Sequence, residues 1–113
     1  MKNEESKLQQ NCVKWFRYQF PEPKYLIYAN ANGGQRNVIT AKIMKGEGVR
    51  AGVPDLTILS QGHIFFVEMK SEKGRLSENQ KEVMIMLSNY GIRTHTVYSF
   101  DQFMEVCNKE LSK

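Results

Sequence analysis

Apolar residues recur along this chain with two different periods, and the changes of period divide it into elements. From residue 4 to about 19 the spacing is threes and fours: Leu8, Cys12, Trp15, Phe16 and then Phe20 share one stripe, which predicts an amphipathic helix ended by Pro21. Tyr25 to Ala29, Y-L-I-Y-A, reads as the first strand. Asn30 to Asn37 is polar and rich in Asn and Gly, the composition of a loop, and Val38 to Gly46 reads as a short helix. After Pro54 the period falls to two. Leu56 to Leu59 and Ile64 to Lys70 flank Gln61-Gly62, a tight-turn pair, and predict a β-hairpin. Ser77 followed three residues later by Gln80 is a capping-box pattern, opening a helix whose sheet-facing stripe reads Gln80, Met84, Leu87 and Tyr90, with Gly91 as its stop. Arg93 to Tyr98 alternates as a further strand. Ser99 with Gln102 then caps a last helix carrying Phe103, Val106, Cys107 and Leu111.

This order of elements predicts an α/β fold: a mixed central sheet of about four strands flanked by helices on both faces. Its last strand is reached by a helical crossover and runs parallel to its neighbour. At 113 residues the chain is expected to form a single domain over residues 1–113. With 41% hydrophobic and 25% charged residues it is globular rather than disordered in composition. Cys12 and Cys107 lie far apart in helical patterns without metal-ligand spacing, and read as buried apolar residues in a reducing compartment. No apolar run is long enough for a membrane span, and the polar start M-K-N-E-E is unlike a signal peptide. A soluble, cytoplasmic protein with no membrane partner is expected.

The hairpin carries the chemistry. If Gln61-Gly62 is a two-residue loop, Ser60 faces His63, and counting outward brings Asp55 opposite Glu68, with β-carbons about 4.5–5.5 Å apart. Like charges so placed repel unless something positive lies between them. Lys70, two residues past Glu68, falls on the same strand face. An acid two positions before a lysine occurs elsewhere too, at Glu5/Lys7 and Glu22/Lys24, but only Glu68/Lys70 ends an apolar strand. Two facing carboxylates suit Mg²⁺ (or Mn²⁺), which takes one or two carboxylates, keeps waters and uses phosphate oxygens to complete its shell. The Met69 carbonyl is a further candidate ligand beside Asp55 and Glu68. Such a site polarises a phosphoryl oxygen and acidifies bound water, and Lys70 either orients the attacking water or stabilises the transition-state charge. The reading is a metal-dependent nuclease.

Charge modifies this picture modestly. The net charge of +4 suits nucleic acid without requiring it, but between Arg36 and Arg50 four basic residues (Arg36, Lys42, Lys45, Arg50) meet only Glu47. We read this stretch as an element that tracks a phosphate backbone; a solvated surface loop is the plain alternative. Lys73 and Arg75, in the charged link after the hairpin, lie at the lip of the same site and are assigned to DNA as well. No G-K-[ST] follows the glycines, so no nucleotide cofactor is expected. His63 and His95 lack a second ligand at metal spacing and are read as non-catalytic. Ile85 and Met86 fall outside the stripe of their helix, as a dimer contact would.

Pro54-Asp55 with Glu68-Met69-Lys70 resembles the P-D…(D/E)-x-K signature of the PD-(D/E)XK nuclease superfamily. E-S-K-L-Q near the start, N-G-G-Q-R, K-G-E-G-V-R-A-G-V-P-D-L and L-S-E-N-Q, in this order, resemble the VRR-NUC (virus-type replication-repair nuclease) domain over nearly the whole chain. The resemblance implies a restriction-endonuclease-like core, a first-helix glutamate at the metal site (Glu5, with neighbouring Glu4 as the alternative), and a place for Gln80 in the active-site constellation. It also implies activity on branched DNA such as four-way (Holliday) junctions, a homodimer, and a phage or bacterial source. The contrasting readings are a non-catalytic DNA-binding or assembly module, and a nuclease subunit of a larger repair or restriction complex. The intact Asp55, Glu68 and Lys70 count against the first, because facing carboxylates without a task cost stability.

Overall fold

The computed structural model of the protein describes residues 2–31 and 38–112. Its elements are α1 (Lys2–Gln19), β1 (Leu26–Ala29), α2 (Val38–Gly46), β2 (Leu56–Ser60), β3 (His63–Met69), α3 (Glu78–Asn89), β4 (Arg93–Val97) and α4 (Phe100–Leu111). The predicted order is found throughout, with ends displaced by a residue or two. Tyr98 lies beyond β4 rather than within it. Glu4 and Glu5 occupy the first turn of α1, where the helix dipole favours negative charge.

The four strands form one sheet in the order β1-β2-β3-β4. The first two pairings are antiparallel; β4, reached through α3, runs parallel to β3. Ser60 pairs with His63, so Gln61-Gly62 is a two-residue loop, and Gly62 takes a positive φ (69°), which glycine adopts at no steric cost. This register matters for function. Leu56 pairs with Val67, and the next step outward sets Asp55 against Glu68, as the alternation predicts.

Alternation divides the sheet into two faces. Ile27, Leu56, Ile58, Phe65, Val67, Met69 and Val97 close a core with Cys12 and Phe16 of α1 and Phe103, Cys107 and Leu111 of α4. Trp15 meets Phe20, Phe100 and Phe103 edge-on at about 6 Å, sealing the seam between the two helices. Burial pushes the Cys12 thiol up to about 12, so it behaves as a small apolar residue. The other face carries Thr57 and Glu68, both nearly fully buried, and α3 lies along its β4 side with Val83 buried.

The stripe of α3 is corrected at one position. Tyr90, expected to face the sheet, is 69% exposed, whereas Val83 is buried and Gln80, Met84 and Leu87 are half-buried. Tyr90 is the C-cap, where the chain leaves the helix toward Gly91 (φ 84°) and the 3.6-residue period no longer aims the side chain. α2 has no buried residue and leaves Val38, Ile39 and Ile43 exposed.

At the end of the sheet away from Glu68, three basic side chains converge on Glu110. His63 Nε2 lies 2.8 Å from its carboxylate and His95 Nε2 2.6 Å, and the Arg93 guanidinium donates at 2.8 and 3.1 Å. The Arg93 hydrogen bond, followed by those of the histidines, holds the Glu110 carboxyl down to about 2 against its burial. This cluster joins the hairpin tip, β4 and α4. Among the described residues, no helix is long and apolar enough to cross a membrane.

Candidate active site

A cavity of about 460 Å³ opens where β2 begins and β3 ends, between the N-termini of α1 and α3. Glu5 and Gln9 line it from α1, Gly52 and Asp55 from the loop before β2, Glu68, Met69 and Lys70 from the end of β3, and Asn79 and Gln80 from α3. The hairpin register brings the two carboxylates together, and the loop before β2 is fastened so that they stay there. Asn30 receives this loop from β1: its N–H donates to the Asp55 carbonyl at 2.8 Å and its Nδ2 to the Pro54 carbonyl at 2.9 Å. The Asn30 amide also bonds the buried Thr57 hydroxyl at 2.8 Å. Asp55 Oδ2 in turn accepts from the Met69 N–H at 2.8 Å, which carries its carboxylate across to the neighbouring strand.

Gly52 sets how close this loop comes to α3. Its φ is +93°, and a β-carbon there would lie 2.5 Å from the Asn79 carbonyl carbon and oxygen. Only glycine satisfies both conditions.

Glu68 is the centre of the site and is 2% exposed. Its Oε2 accepts from Gln80 Nε2 at 2.8 Å and lies 3.7 Å from Lys70 Nζ. Among the described residues, its Oε1 is buried without a hydrogen-bond donor. Burial, then the Asp55 charge, pushes the Glu68 carboxyl up to about 8, against the opposing pull of Lys70; a hydrogen bond with Asp55 and the charge of Glu5 add to the rise. Two carboxyl groups can bond each other only by sharing a proton. Fully ionised, the pair leaves Oε1 without a donor among the described residues, because Lys70 and Gln80 address only Oε2.

Gln80 caps its helix and also reaches into the cavity. Its backbone N–H donates to Ser77 Oγ at 3.1 Å and its Oε1 accepts from the Ser77 N–H at 2.8 Å, completing the capping box, while Nε2 reaches Glu68. The cap fixes the amide's orientation, so the nitrogen rather than the oxygen faces the carboxylate. Of the two first-helix acids, Glu5 is the one at the cavity, accepting from the Ser71 N–H at 3.1 Å; Glu4 is exposed and does not line it.

The basic residues are dispersed. Lys45 and Arg50 line a neighbouring cavity together with Asn79, and Arg50 is engaged by Glu82 (3.7 Å) and the Ala51 carbonyl (2.7 Å). Lys42 is exposed on α2 and lines none of these cavities, Lys73 and Arg75 line another beside Lys70, and Arg36 lies outside the described residues. Sequence reasoning missed Asn30, Thr57, Gly52 and Asn79. Asn30 and Gly52 stood in stretches read only as loop, and their roles depend on contacts with segments distant in the chain.

The matching region now gives this geometry a family. The VRR-NUC domain family model matches residues 3–101, which include every residue of the cavity. The chain belongs to the VRR-NUC family. A solved structure described as a VRR-NUC domain superposes with a TM-score of 0.60 over 92% of this chain and 96% of its own, at 21% identity, and so shares the fold. Among curated proteins none matches. VRR-NUC membership carries a nuclease-type function.

The donor set of this VRR-NUC site fits a hard divalent cation. It consists of carboxylate oxygens, one of them buried without a partner among the described residues, with Met69 lining the same cavity. Among the described residues, no group of three or more His, Cys, Asp or Glu side chains is arranged to hold a metal ion. Two carboxylates at an open cavity leave coordination positions for water and phosphate, as Mg²⁺ chemistry requires.

Proposed function

We propose that this VRR-NUC protein is a Mg²⁺- or Mn²⁺-dependent endonuclease that hydrolyses phosphodiester bonds in branched DNA, four-way junctions included, as a homodimer. The observation that carries the reading is the Asp55–Glu68 pair, in which Glu68 is buried and its Oε1 has no donor among the described residues although Lys70 and Gln80 both address Oε2. A pair so costly to ionise is kept where a cation compensates it. Asp55 and Glu68 would hold that cation, with the Met69 carbonyl as a third ligand. When bound, it polarises the phosphoryl oxygen and acidifies a water ligand.

The protein's own groups supply the rest. Gln80 holds Glu68 in one rotamer, and the Met69 N–H does the same for Asp55. Lys70, its side chain 12% exposed, orients the attacking water or meets the charge that grows on the phosphate oxygens with its ammonium. Glu5 anchors the Ser71 backbone beside Lys70 and closes the cavity from α1. Lys42, Lys45, Arg50, Lys73 and Arg75, with Arg36, are the proposed phosphate contacts.

The test incubates wild type and Lys70→Ala with Mg²⁺ and separately Mn²⁺ on matched four-way junction, flap, linear duplex and single-stranded DNA. Cation-dependent cutting by wild type, at least a hundredfold slower in Lys70→Ala, is expected, with paired symmetric cuts on the junction. Junction binding without cutting under either metal would overturn the enzymatic reading and leave a DNA-binding module.

A further inference from the structure

Beside the catalytic cavity lies a second, of about 840 Å³, of which the nuclease reading uses only Lys73 and Arg75. Lys73, Arg75, Lys81, Glu72, Leu76 and Tyr98 line it, three cations against one acid. Tyr98 is 40% exposed, and among the described residues its ring stacks on no other ring and its hydroxyl has no partner. Its backbone is nevertheless firmly held: the Tyr98 N–H donates to Gln102 Oε1 at 2.7 Å, next to the Ser99 cap of α4.

Its position relative to the chemistry follows from the sheet. Met69 pairs with Val97, and the Lys70 N–H donates to the Val97 carbonyl at 2.9 Å, so one step further along the parallel register stand Lys70 and Tyr98. The loop carrying Lys73 and Arg75 is pressed onto the same lysine. A β-carbon on Gly74 would come within 3.2 Å of Lys70 Cδ. Lys73 and Arg75 are exposed and unpaired among the described residues, and Lys81 makes only an exposed contact with Glu78 at 3.5 Å. An open aromatic ring among cations, at the lip of a phosphodiesterase site, combines the two elements with which proteins hold single strands: a face for a base and charges for the backbone.

We infer that Tyr98 is a stacking platform for one unpaired DNA nucleotide adjacent to the scissile phosphate, with Lys73, Arg75 and Lys81 holding the flanking phosphates. A paired base inside a duplex has both faces covered by its neighbours and offers nothing to this ring. The site therefore selects DNA with an unpaired nucleotide at a branch or end. Placement next to the scissile phosphate rests on the nuclease reading; the stacking itself does not.

The experiment is a fluorescence titration without divalent cation, using a short single-stranded oligonucleotide with one 2-aminopurine and the same oligonucleotide in duplex form. It compares wild type, Tyr98→Ala, Tyr98→Phe and Lys73→Ala/Arg75→Ala, each checked for folding by circular dichroism. Wild type is expected to quench the probe on binding. Tyr98→Ala should bind the single strand about tenfold more weakly and lose the quenching, Tyr98→Phe should retain both, and the double variant should flatten the salt dependence. Equal binding and quenching by Tyr98→Ala, or equal affinity for the duplex, would overturn the proposal. Failure to cut any DNA while these differences persist would instead sink the nuclease reading and leave the platform standing.

Discussion

Glu68 and Glu110 are both carboxylates at opposite ends of the same sheet, and their surroundings treat them in opposite ways. Arg93, His95 and His63 donate to Glu110 and hold its carboxyl down to about 2, so its contribution to stability is present above the ordinary value of 4.5 and is lost as pH falls toward 2. Glu68 is buried beside another acid and rises to about 8. Its sign is reversed: what the protonated form contributes is fully present below 4.5 and lost as pH rises to about 8. Without divalent cation, Glu68→Gln is expected to match wild type in thermal melting near pH 4.5 and to melt several degrees higher near pH 8 and above. At saturating Mg²⁺ the order should narrow or invert, because a ligand of the folded state stabilises wild type by about 2.7 kcal/mol at a hundred times its Kd. A Glu68→Gln variant that melts below wild type in cation-free buffer at pH 8 would mean that the carboxylate pair is already compensated by protein groups.

Elements cooperate at this site through the glycine-dependent loop before β2. The loop before β2 carries Asp55, and Gly52 lets it touch Asn79 at the start of α3, so hairpin and helix are set against each other without side-chain mediation. Gly48, in the same stretch, also has a positive φ (+107°) but nothing within 4 Å of its would-be β-carbon. Comparing alanine at the two positions separates strain from collision. Both substitutions should cost about 1–3 kcal/mol in urea unfolding, and Gly52→Ala alone should abolish cation-dependent cutting, since it must push Asp55 away from Gln80's helix. Similar activity in both variants would show that the loop has slack. α3 illustrates how a cap becomes chemistry: Ser77 consumes the Gln80 oxygen, which leaves the nitrogen for Glu68.

At the scale of the molecule, one copy offers one such cavity among its described residues, and paired cuts on a junction need two. α2 leaves Val38, Ile39 and Ile43 in solvent, and α3 leaves Ile85, Met86 and Tyr90. Apolar surface of this kind, Ile85 and Met86 of the expected dimer contact included, supports the proposed homodimer. Sedimentation of wild type at micromolar concentration should give a dimer, and Ile39→Glu with Ile43→Glu a monomer of unchanged circular dichroism. A wild-type monomer at these concentrations, with undiminished junction cutting, would remove the dimer from the mechanism.

The sequence by itself determined the element order, the two-residue hairpin loop and hence the facing of Asp55 and Glu68, because a strand's period of two and a tight turn leave a single register once the apolar face is buried. It also marked both serine caps, which depend on residues three apart, and the four-strand mixed sheet, which follows from the order of a hairpin and a helical crossover. Tyr90 escaped that logic because a helical period says nothing past the cap. Only the tertiary structure decided which first-helix acid reaches the cavity, that Asn30 and Gly52 fasten the loop of Asp55, that Glu110 gathers two histidines and an arginine, and that Tyr98 stands beside Lys70. Each joins segments far apart in the chain, and their meeting depends on how helices and sheet pack rather than on any local pattern.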